Sequence, residues 1–332
     1  MKTINLIFIF FTFVTVTLFC QTNISPEERL NLIVSKLEQK SGGTIGIAAL
    51  QLETGNAYYY NKNIKFPMAS TFKVPVAVQL LNRVDKGEIS LQDMIEIKRS
   101  DLHPGSGVIV KYFEDLGIQL SLNNLMKLML IESDNSAADL CLKFAGGTEE
   151  VNEMLNENGI EGMSVDRLTY VALAQYLGVK NVSENEDYDD DKVVAELRSL
   201  SKEDREKASE EFMNDTKDNS TPSAMLNLLE KIWNKKILSD ESTALLLNTM
   251  KECNTGNSRI KGLLHDKTIV YPKTGTIGDV TNDVGIIKLP EDFGNLAVVV
   301  FMKNAKKDTK DCERIIAQIS RFLYDYFIFY TS

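Results

Sequence analysis

Apolar and polar residues follow strand-like patterns near both ends of the chain and helix-like patterns between them. Residues 44–51 and 56–60 lie on either side of a turn at Glu53, Thr54 and Gly55, which is typical of a β-hairpin. Strand-like runs return late in the chain, over residues 268–276, 284–289 and 296–302. The pattern therefore predicts an antiparallel sheet that is built from both ends of the chain.

Helical periodicity accounts for most of the remaining chain. An amphipathic helix is predicted over residues 26–39, where Ser25 opens the helix and Pro26 lies in its first turn. Helices dominate from Ser70 to about Asn248, and a last one is predicted over residues 309–327. We expect an α/β fold of two lobes, with the terminal helices flanking the antiparallel sheet, an all-helical second lobe, and a catalytic cleft between the lobes.

These patterns predict a single domain over residues 21–332 after a signal peptide at residues 1–20. Its expected parts are a sheet lobe at about 25–64 and 255–332, a helical lobe at about 65–254, and within it an insertion at about 168–219. The insertion carries an acidic stretch between Glu184 and Asp191, followed by a charged helical pattern over residues 192–213. Such acids are most often a solvated face.

The first 20 residues are typical of a secretory signal. Lys2 gives a basic start, and an apolar stretch at residues 6–19 precedes Cys20, after which we expect cleavage. This stretch is short for a membrane span, so we predict a secreted, periplasmic protein with no stable span after signal removal. Lipidation of Cys20 is the alternative, which the large side chain of Phe19 disfavours.

Charge and composition exclude several classes of function. A formal net charge of −10 makes the chain a poor candidate for nucleic-acid binding, and we expect a monomer that acts on a small molecule.

The two histidines, His103 and His265, argue against a Ser-His-Asp triad and are expected on the surface or in turns. After cleavage the odd set Cys141, Cys253 and Cys312 predicts buried thiols. No zinc motif occurs, and no metal or cofactor is expected.

The candidate chemistry begins with Ser70 and Lys73, which form an S-x-x-K motif. On a helix the two side chains share one face, and the helix N-terminus directs backbone N–H groups at a developing oxyanion. A serine hydroxyl needs an adjacent base, and a lysine near other cations and away from water can lose its proton. Taken alone, the motif is also compatible with an N-cap serine and a solvated lysine.

Two further motifs follow in order. An S-D-N motif, Ser133 to Asn135, lies between helical stretches at residues 122–131 and 137–144, and a K-T-G motif begins at Lys273 in a strand. Ser133 can relay a proton to a leaving nitrogen and Asn135 can hold a substrate amide. Lys273 brings positive charge to the Ser70 pocket.

The K-T-G strand also suggests how a substrate approaches. Gly275 on an edge strand allows close backbone contact, and the N–H of Thr276 is a candidate second oxyanion donor beside that of Ser70. The alternatives are helix capping for the S-D-N residues, which we do expect of Asp134, and a surface strand position for Lys273. The three motifs together, each in suitable context, favour the catalytic interpretation.

This ordered set resembles the signature of class A β-lactamases, within the larger family of penicillin-recognising serine enzymes. The resemblance runs from about Glu28 to the C-terminus and includes the segments at residues 101–105, 220–225 and 255–260. The last segment resembles a T-G-x-x-R-I turn whose arginine helps to bind the substrate carboxylate, which implies that role for Arg259. Other members carry that arginine on the strand after K-T-G, where this chain has Val284.

One departure from the family concerns an R-x-E-x-x-x-N loop, whose Glu activates the water that frees the acylated serine. Arg167 matches the loop's arginine, but Thr169 and Leu173 stand in the Glu and Asn places, and neither can act as that base. Lys73 is then a candidate for both steps. Acids that could fill the gap in space are Glu161, Asp166, Glu184 and Glu186.

The resemblance implies a secreted serine hydrolase that opens β-lactam rings through an acyl-enzyme on Ser70. Lys73 is the expected acylation base, and Ser133 the proton donor to the leaving nitrogen. The residues expected to hold the substrate are Asn135, Lys273, Thr274, Thr276 and Arg259. The alternatives are a penicillin-binding or DD-peptidase-like enzyme with slow deacylation, which the missing Glu favours, and a non-catalytic module that binds β-lactams or peptidoglycan.

Overall fold

The computed structural model of the chain describes residues 24–103, 105–113, 115, 117–180, 182 and 189–330. The predicted signal peptide at residues 1–20, which includes Cys20, lies outside these residues, so export and lipidation stay predictions. Within the described part, no helix is both long enough and apolar enough to cross a membrane.

A five-stranded antiparallel sheet joins the two ends of the chain. The strands of the protein are β1 (Thr44–Gln51), β2 (Ala57–Tyr60), β3 (Phe66–Pro67), β4 (Met94–Glu96), β5 (Gln119–Ser121), β6 (Asn219–Ser220), β7 (Val270–Ile277), β8 (Val280–Lys288) and β9 (Asn295–Lys303). The large sheet has the order β2-β1-β9-β8-β7, and the short strands pair as β3 with β6 and β4 with β5. Strand β7, which carries K-T-G, is therefore an edge strand, as predicted.

Helices supply the second lobe and both ends. They are α1 (Pro26–Ser41), α2 (Lys73–Asp85), α3 (Ile109–Tyr112), α4 (Leu122–Ile131), α5 (Asn135–Phe144), α6 (Gly147–Glu157), α7 (Thr169–Leu177), α8 (Asp190–Ser199), α9 (Lys202–Asn214), α10 (Pro222–Trp233), α11 (Asp240–Lys251) and α12 (Thr309–Phe329). Together with the sheet they confirm the predicted fold class, an antiparallel sheet with terminal helices and a helical lobe. The exact lobe boundaries stay a prediction.

Strand β9 shows why the sheet holds both lobes together. Val298 and Val300 pack in the core beneath α1 and α12, whereas Val299 and Phe301 pack in the core of the helical lobe. A strand that is buried on both faces reads as a continuous apolar run, as residues 296–302 do. Register is then strictly fixed, because a shift by one residue would exchange the two faces.

Two predicted helices differ in detail from the observed ones. The charged pattern over residues 192–213 forms α8 and α9, because Ser201 starts a new helix with a capping box to Asp204. The helix predicted from Ser70 begins instead as a 3₁₀ turn, Ala69–Phe72, before α2. The three cysteines of the described region are free and buried, as predicted.

Candidate active site

Ser70 lies in the 3₁₀ turn that leads into α2. The preceding residue, Ala69, has φ 45°, in the left-handed region that costs a non-glycine residue about 1 kcal/mol. Asn282 on β8 offsets this cost, since its side-chain amide donates to the carbonyl oxygens of Pro67 at 2.8 Å and Met68 at 3.0 Å. The sheet therefore fixes the backbone that presents the Ser70 side chain.

Gly275 lets the K-T-G strand lie directly against this turn. A Cβ atom at Gly275 would lie 2.5 Å from the Met68 carbonyl oxygen and 2.9 Å from the Ser70 backbone nitrogen. Any side chain would push β7 away from Ser70. The close approach predicted for this glycine is thus made by the protein's own backbone at the Ser70 turn.

Lys73 is fully buried at the start of α2. Its Nζ donates to the Ser133 carbonyl oxygen at 2.6 Å and to Asn135 Oδ1 at 3.0 Å, and lies 3.3 Å from Ser133 Oγ. Burial lowers the pKa of Lys73 well below its usual value and the charge of Lys273 lowers it further, although Asp134 raises it. The environment therefore favours the neutral amine that a general base requires.

Ser133 lies between two buried lysines. Its Oγ accepts a hydrogen bond from Lys273 Nζ at 3.0 Å and lies 3.3 Å from Lys73 Nζ. Burial is the largest cause that lowers the pKa of Lys273, to about 8. The Ser133 hydroxyl therefore connects the Lys73 amine, which favours the neutral form, to the amino group of Lys273.

Asp134 has the capping role predicted for it. One carboxylate oxygen accepts the Ala137 N–H at 2.9 Å, and the other accepts the N–H groups of Val108 at 2.6 Å and Ile109 at 2.8 Å. The residue thus starts α5 and ties the neighbouring loop to it. Ser133, just before the cap, has φ 57°, which the surrounding contacts must hold.

The hydroxyls of the two threonines of β7, Thr274 and Thr276, each have a hydrogen-bond partner outside the strand. Thr274 Oγ1 lies 2.6 Å from Thr255 Oγ1, and Thr276 lines the same cleft as Ser70 and Asn135. Arg259 is buried and donates from one terminal nitrogen to Thr276 Oγ1 at 2.6 Å. One residue from each motif segment, Ser70, Asn135 and Thr276, therefore lines the same cleft.

The comparison with known proteins agrees with this geometry. A sequence profile of the β-lactamase enzyme family matches residues 26–327. The chain belongs to the class A serine β-lactamases. It is 29% identical to β-lactamase VEB-1 from Pseudomonas aeruginosa over 310 residues, which cover 91% of each chain. It is also 29% identical to a β-lactamase from Bacteroides uniformis, covering 93% of this chain and 96% of that one.

Solved β-lactamase structures share the fold. The crystal structure of a β-lactamase from Chitinophaga pinensis DSM 2588 superposes with a TM-score of 0.72 at 30% identity, covering 90% of this chain and 98% of that one. The extended-spectrum β-lactamase TLA-1 superposes with a TM-score of 0.73 at 27% identity, covering 92% and 100%. The chain is thus a serine β-lactamase-like hydrolase.

In this β-lactamase, Arg259 is committed to protein acceptors. Besides Thr276, its guanidinium donates to the carbonyl oxygens of Gly275 at 3.1 Å and Asn282 at 2.7 Å, and its Nε pairs with Glu313 at 3.2 Å. These bonds connect Arg259 to the end of β7 and to the neighbouring strand β8. The sequence prediction that Arg259 binds the substrate carboxylate directly stays a prediction.

Ion pairs join the two ends of the insertion predicted at about residues 168–219. Arg167 Nε pairs with Asp218 at 2.6 Å and its Nη1 with Asp215 at 2.9 Å. Thr169 and Leu173 both line the Ser70 cleft. Among the described residues that line the cleft, the one carboxylate is that of Asp218, which this ion pair occupies.

The acids proposed to replace the family's Glu lie elsewhere or outside the described residues. Glu161 is exposed on the surface. Asp166 accepts hydrogen bonds from the Ser164 hydroxyl and the Asp218 N–H, both at 2.7 Å, within the base of the insertion. Glu184 and Glu186 lie outside the described residues.

The sequence did not reveal the role of His103 and Asp139. His103 was expected on the surface or in a turn but is 2% exposed, and its Nδ1 lies 2.9 Å from Asp139 Oδ2. Asp139 also accepts the N–H groups of Thr169 at 2.5 Å and Tyr170 at 3.1 Å, so it anchors the first turn of α7. The available signal was an acid within the apolar helix α5, since a buried acid needs partners.

Proposed function

We propose that this β-lactamase is exported, opens β-lactam rings through an acyl-enzyme on Ser70, and releases the acyl group slowly. The observation that carries the proposal is the position of Ser133 Oγ, 3.0 Å from Lys273 Nζ and 3.3 Å from Lys73 Nζ. Lys73 also donates to Asn135, which lines the same cleft as Ser70. Export is supported by the signal-like segment at residues 1–20.

Acylation uses the neutral form of Lys73. Its amine removes the Ser70 hydroxyl proton as Oγ bonds to the lactam carbonyl carbon, and the backbone N–H groups of Ser70 and Thr276 stabilise the oxyanion. The C–N bond then breaks, and the nitrogen takes the hydroxyl proton of Ser133, which Lys73 replaces. The proton thus moves from Ser70 to the leaving nitrogen, and Lys73 ends the step neutral.

Substrate binding follows from the same residues. Asn135 holds the amide of the substrate, while Lys273, Thr274 and Thr276 bind its carboxylate. Arg259 supports Thr276 through the 2.6 Å hydrogen bond to its hydroxyl. A charge-assisted hydrogen bond is about twice as strong as a neutral one, which favours the positively charged form of Lys273 for this purpose.

Release of the acyl group lacks a dedicated carboxylate. Asp218 is paired with Arg167, and Thr169, which the family resemblance assigns to the position of the Glu, lines the cleft without a carboxylate. We assign activation of the water to Lys73, after it has returned to the neutral form. Loss of a positioned general base typically costs about 10²–10⁴-fold in rate, so the acyl-enzyme accumulates.

Two alternatives make different predictions for one experiment. A penicillin-binding or DD-peptidase-like enzyme is favoured by the same lack of a free carboxylate at the cleft, and it would form an acyl-enzyme that hardly turns over. A binding module would form no acyl-enzyme.

Intact-mass spectrometry after incubation with benzylpenicillin should show one added penicillin on the wild type and none on Ser70→Ala. Labelling of Ser70→Ala would remove Ser70 as the nucleophile.

A further inference from the structure

The insertion of this β-lactamase reaches the catalytic cleft. Phe212, on α9 of the insertion, lines the same cavity of about 370 Å³ as Ser70. It meets Tyr176 of α7 edge to face, with ring centroids 5.7 Å apart at an interplanar angle of 79°. The guanidinium of Arg167 lies over the Phe212 ring, 4.8 Å from the ring centroid. The aromatic ring is thus held in place at the cavity wall.

Helices α7 and α9 also pack tightly on each other. A Cβ atom on Gly178, at the end of α7, would lie 3.2 Å from Ala208 Cβ and 3.1 Å from Leu200 Cδ1. Gly178 has φ 93°, so a glycine is favoured here for its conformation as well as for space. Helices α9 and α7 therefore form one packed wall of the cleft.

This wall touches the sheet lobe across the cleft. A Cβ atom on Gly278, in the turn between β7 and β8, would lie 2.6 Å from the Tyr176 hydroxyl and 3.1 Å from Met213 Cε. Tyr176 belongs to α7 and Met213 to α9, so both helices reach the K-T-G hairpin. One end of the cleft is closed by these contacts, beyond Thr276 and Ile277.

The surface inside this end is mostly apolar. Leu173, Tyr176, Leu177, Phe212 and Ile277 supply side chains. The charged lining residues Arg167 and Asp218 pair with each other, and Lys217 is exposed to solvent. An uncharged apolar group is stabilised on leaving water for such a space, whereas an added carboxylate would lose hydration without a buried partner.

We propose that α9, through Phe212 packed on Tyr176, makes this enzyme selective for β-lactams whose acyl side chain is apolar and uncharged, such as an arylacetyl group. The inference rests on the proposed acylation of Ser70, because only a group attached to the bound lactam would be held at this end of the cleft. The insertion is then a specificity element.

The test measures the second-order rate of Ser70 acylation, by competition with a fluorescent penicillin. Three penicillins are compared: benzylpenicillin, its analogue with a carboxylate on the acyl side chain, and 6-aminopenicillanic acid, which has no acyl group. The wild type should prefer benzylpenicillin over both others. Phe212→Ala and Tyr176→Ala should each lower that preference about tenfold, while Phe212→Leu should retain most of it.

A matched control is Phe322→Ala, which removes an exposed phenyl ring from α12 and should leave the preference unchanged. Melting temperatures show that each variant is folded. If the wild type is acylated without preference, or if both cleft variants keep the full preference, the inference is wrong while the acyl-enzyme stands. If Ser70 is acylated by no penicillin, the proposed function itself is wrong.

Discussion

Asp139 accepts the backbone N–H of Thr169 at 2.5 Å, which ties the helix of the S-D-N motif to the wall of the catalytic cleft. The family resemblance assigns Thr169 to the place of the deacylating Glu, so by that match the anchor is present although the base is not. His103, 2.9 Å from the same carboxylate, completes the cluster. The wall is therefore built as a rigid part of the site.

Asp139→Ala should destabilise the protein by about 3 kcal/mol, because two helix N–H groups and His103 lose a buried acceptor. Chemical denaturation of the purified variant measures this loss. Asp292→Ala, which removes an exposed acid, serves as the control and should change stability by less than about 0.5 kcal/mol. Equal stability of the two variants would contradict the anchoring role.

Thr169→Glu should speed release of the acyl-enzyme by at least about tenfold, since it restores a carboxylate at the first turn of α7. The change removes no side-chain hydrogen bond, because Thr169 Oγ1 has no hydrogen-bond partner among the described residues. The rate is read from the decay of the acylated mass after removal of free penicillin. Thr169→Gln has the same size without the charge and should stay slow, so an equal gain in both variants would refute the missing-base account.

Acylation should depend on pH through both lysines. The rate should rise as pH rises through the lowered pKa of Lys73, because the neutral amine is the base. It should fall as pH rises through about 8, where Lys273 loses the charge that holds the carboxylate. In Lys273→Arg the alkaline fall should move to higher pH, since arginine stays charged. An unmoved alkaline limb would assign it to another group.

Arg259→Ala should slow acylation by carboxylate-bearing β-lactams about ten- to a hundredfold. If Arg259 acts through Thr276, then Thr276→Val should produce a similar loss and the double variant little more. Fully additive losses would indicate instead a direct contact between Arg259 and the substrate, as the family resemblance implies. No loss in either variant would exclude both roles.

Much of this architecture could be predicted because the relevant signals are local. Capping by Asp134, the hairpin of β1 and β2 and the edge position of Lys273 each follow from a few neighbouring residues. The close approach at Gly275 was also readable, because a glycine in a strand commonly marks a backbone contact. The predicted partner in that contact was a substrate backbone, whereas the structure places the Ser70 turn against this glycine.

Contacts between distant segments could not be predicted. Nothing near His103 in the sequence indicates Asp139, and nothing near Phe212 indicates that α9 returns to the Ser70 cleft. The packing of Arg259 against Thr276 was likewise hidden, since the T-G-x-x-R-I resemblance implies an arginine that binds the substrate carboxylate and does not indicate the protein carbonyl oxygens that accept its hydrogen bonds. Such pairings are set by tertiary packing rather than by local pattern.

The central claim is an acyl-enzyme on Ser70 that forms faster than it is released. Stopped-flow mixing with a chromogenic cephalosporin tests it most directly. We predict a burst of ring opening equal to one per enzyme molecule, followed by a phase slower by about 10²-fold or more, with both phases absent in Ser70→Ala. Fast steady turnover without a burst would contradict the slow release, and a burst that survives Ser70→Ala would contradict the nucleophile.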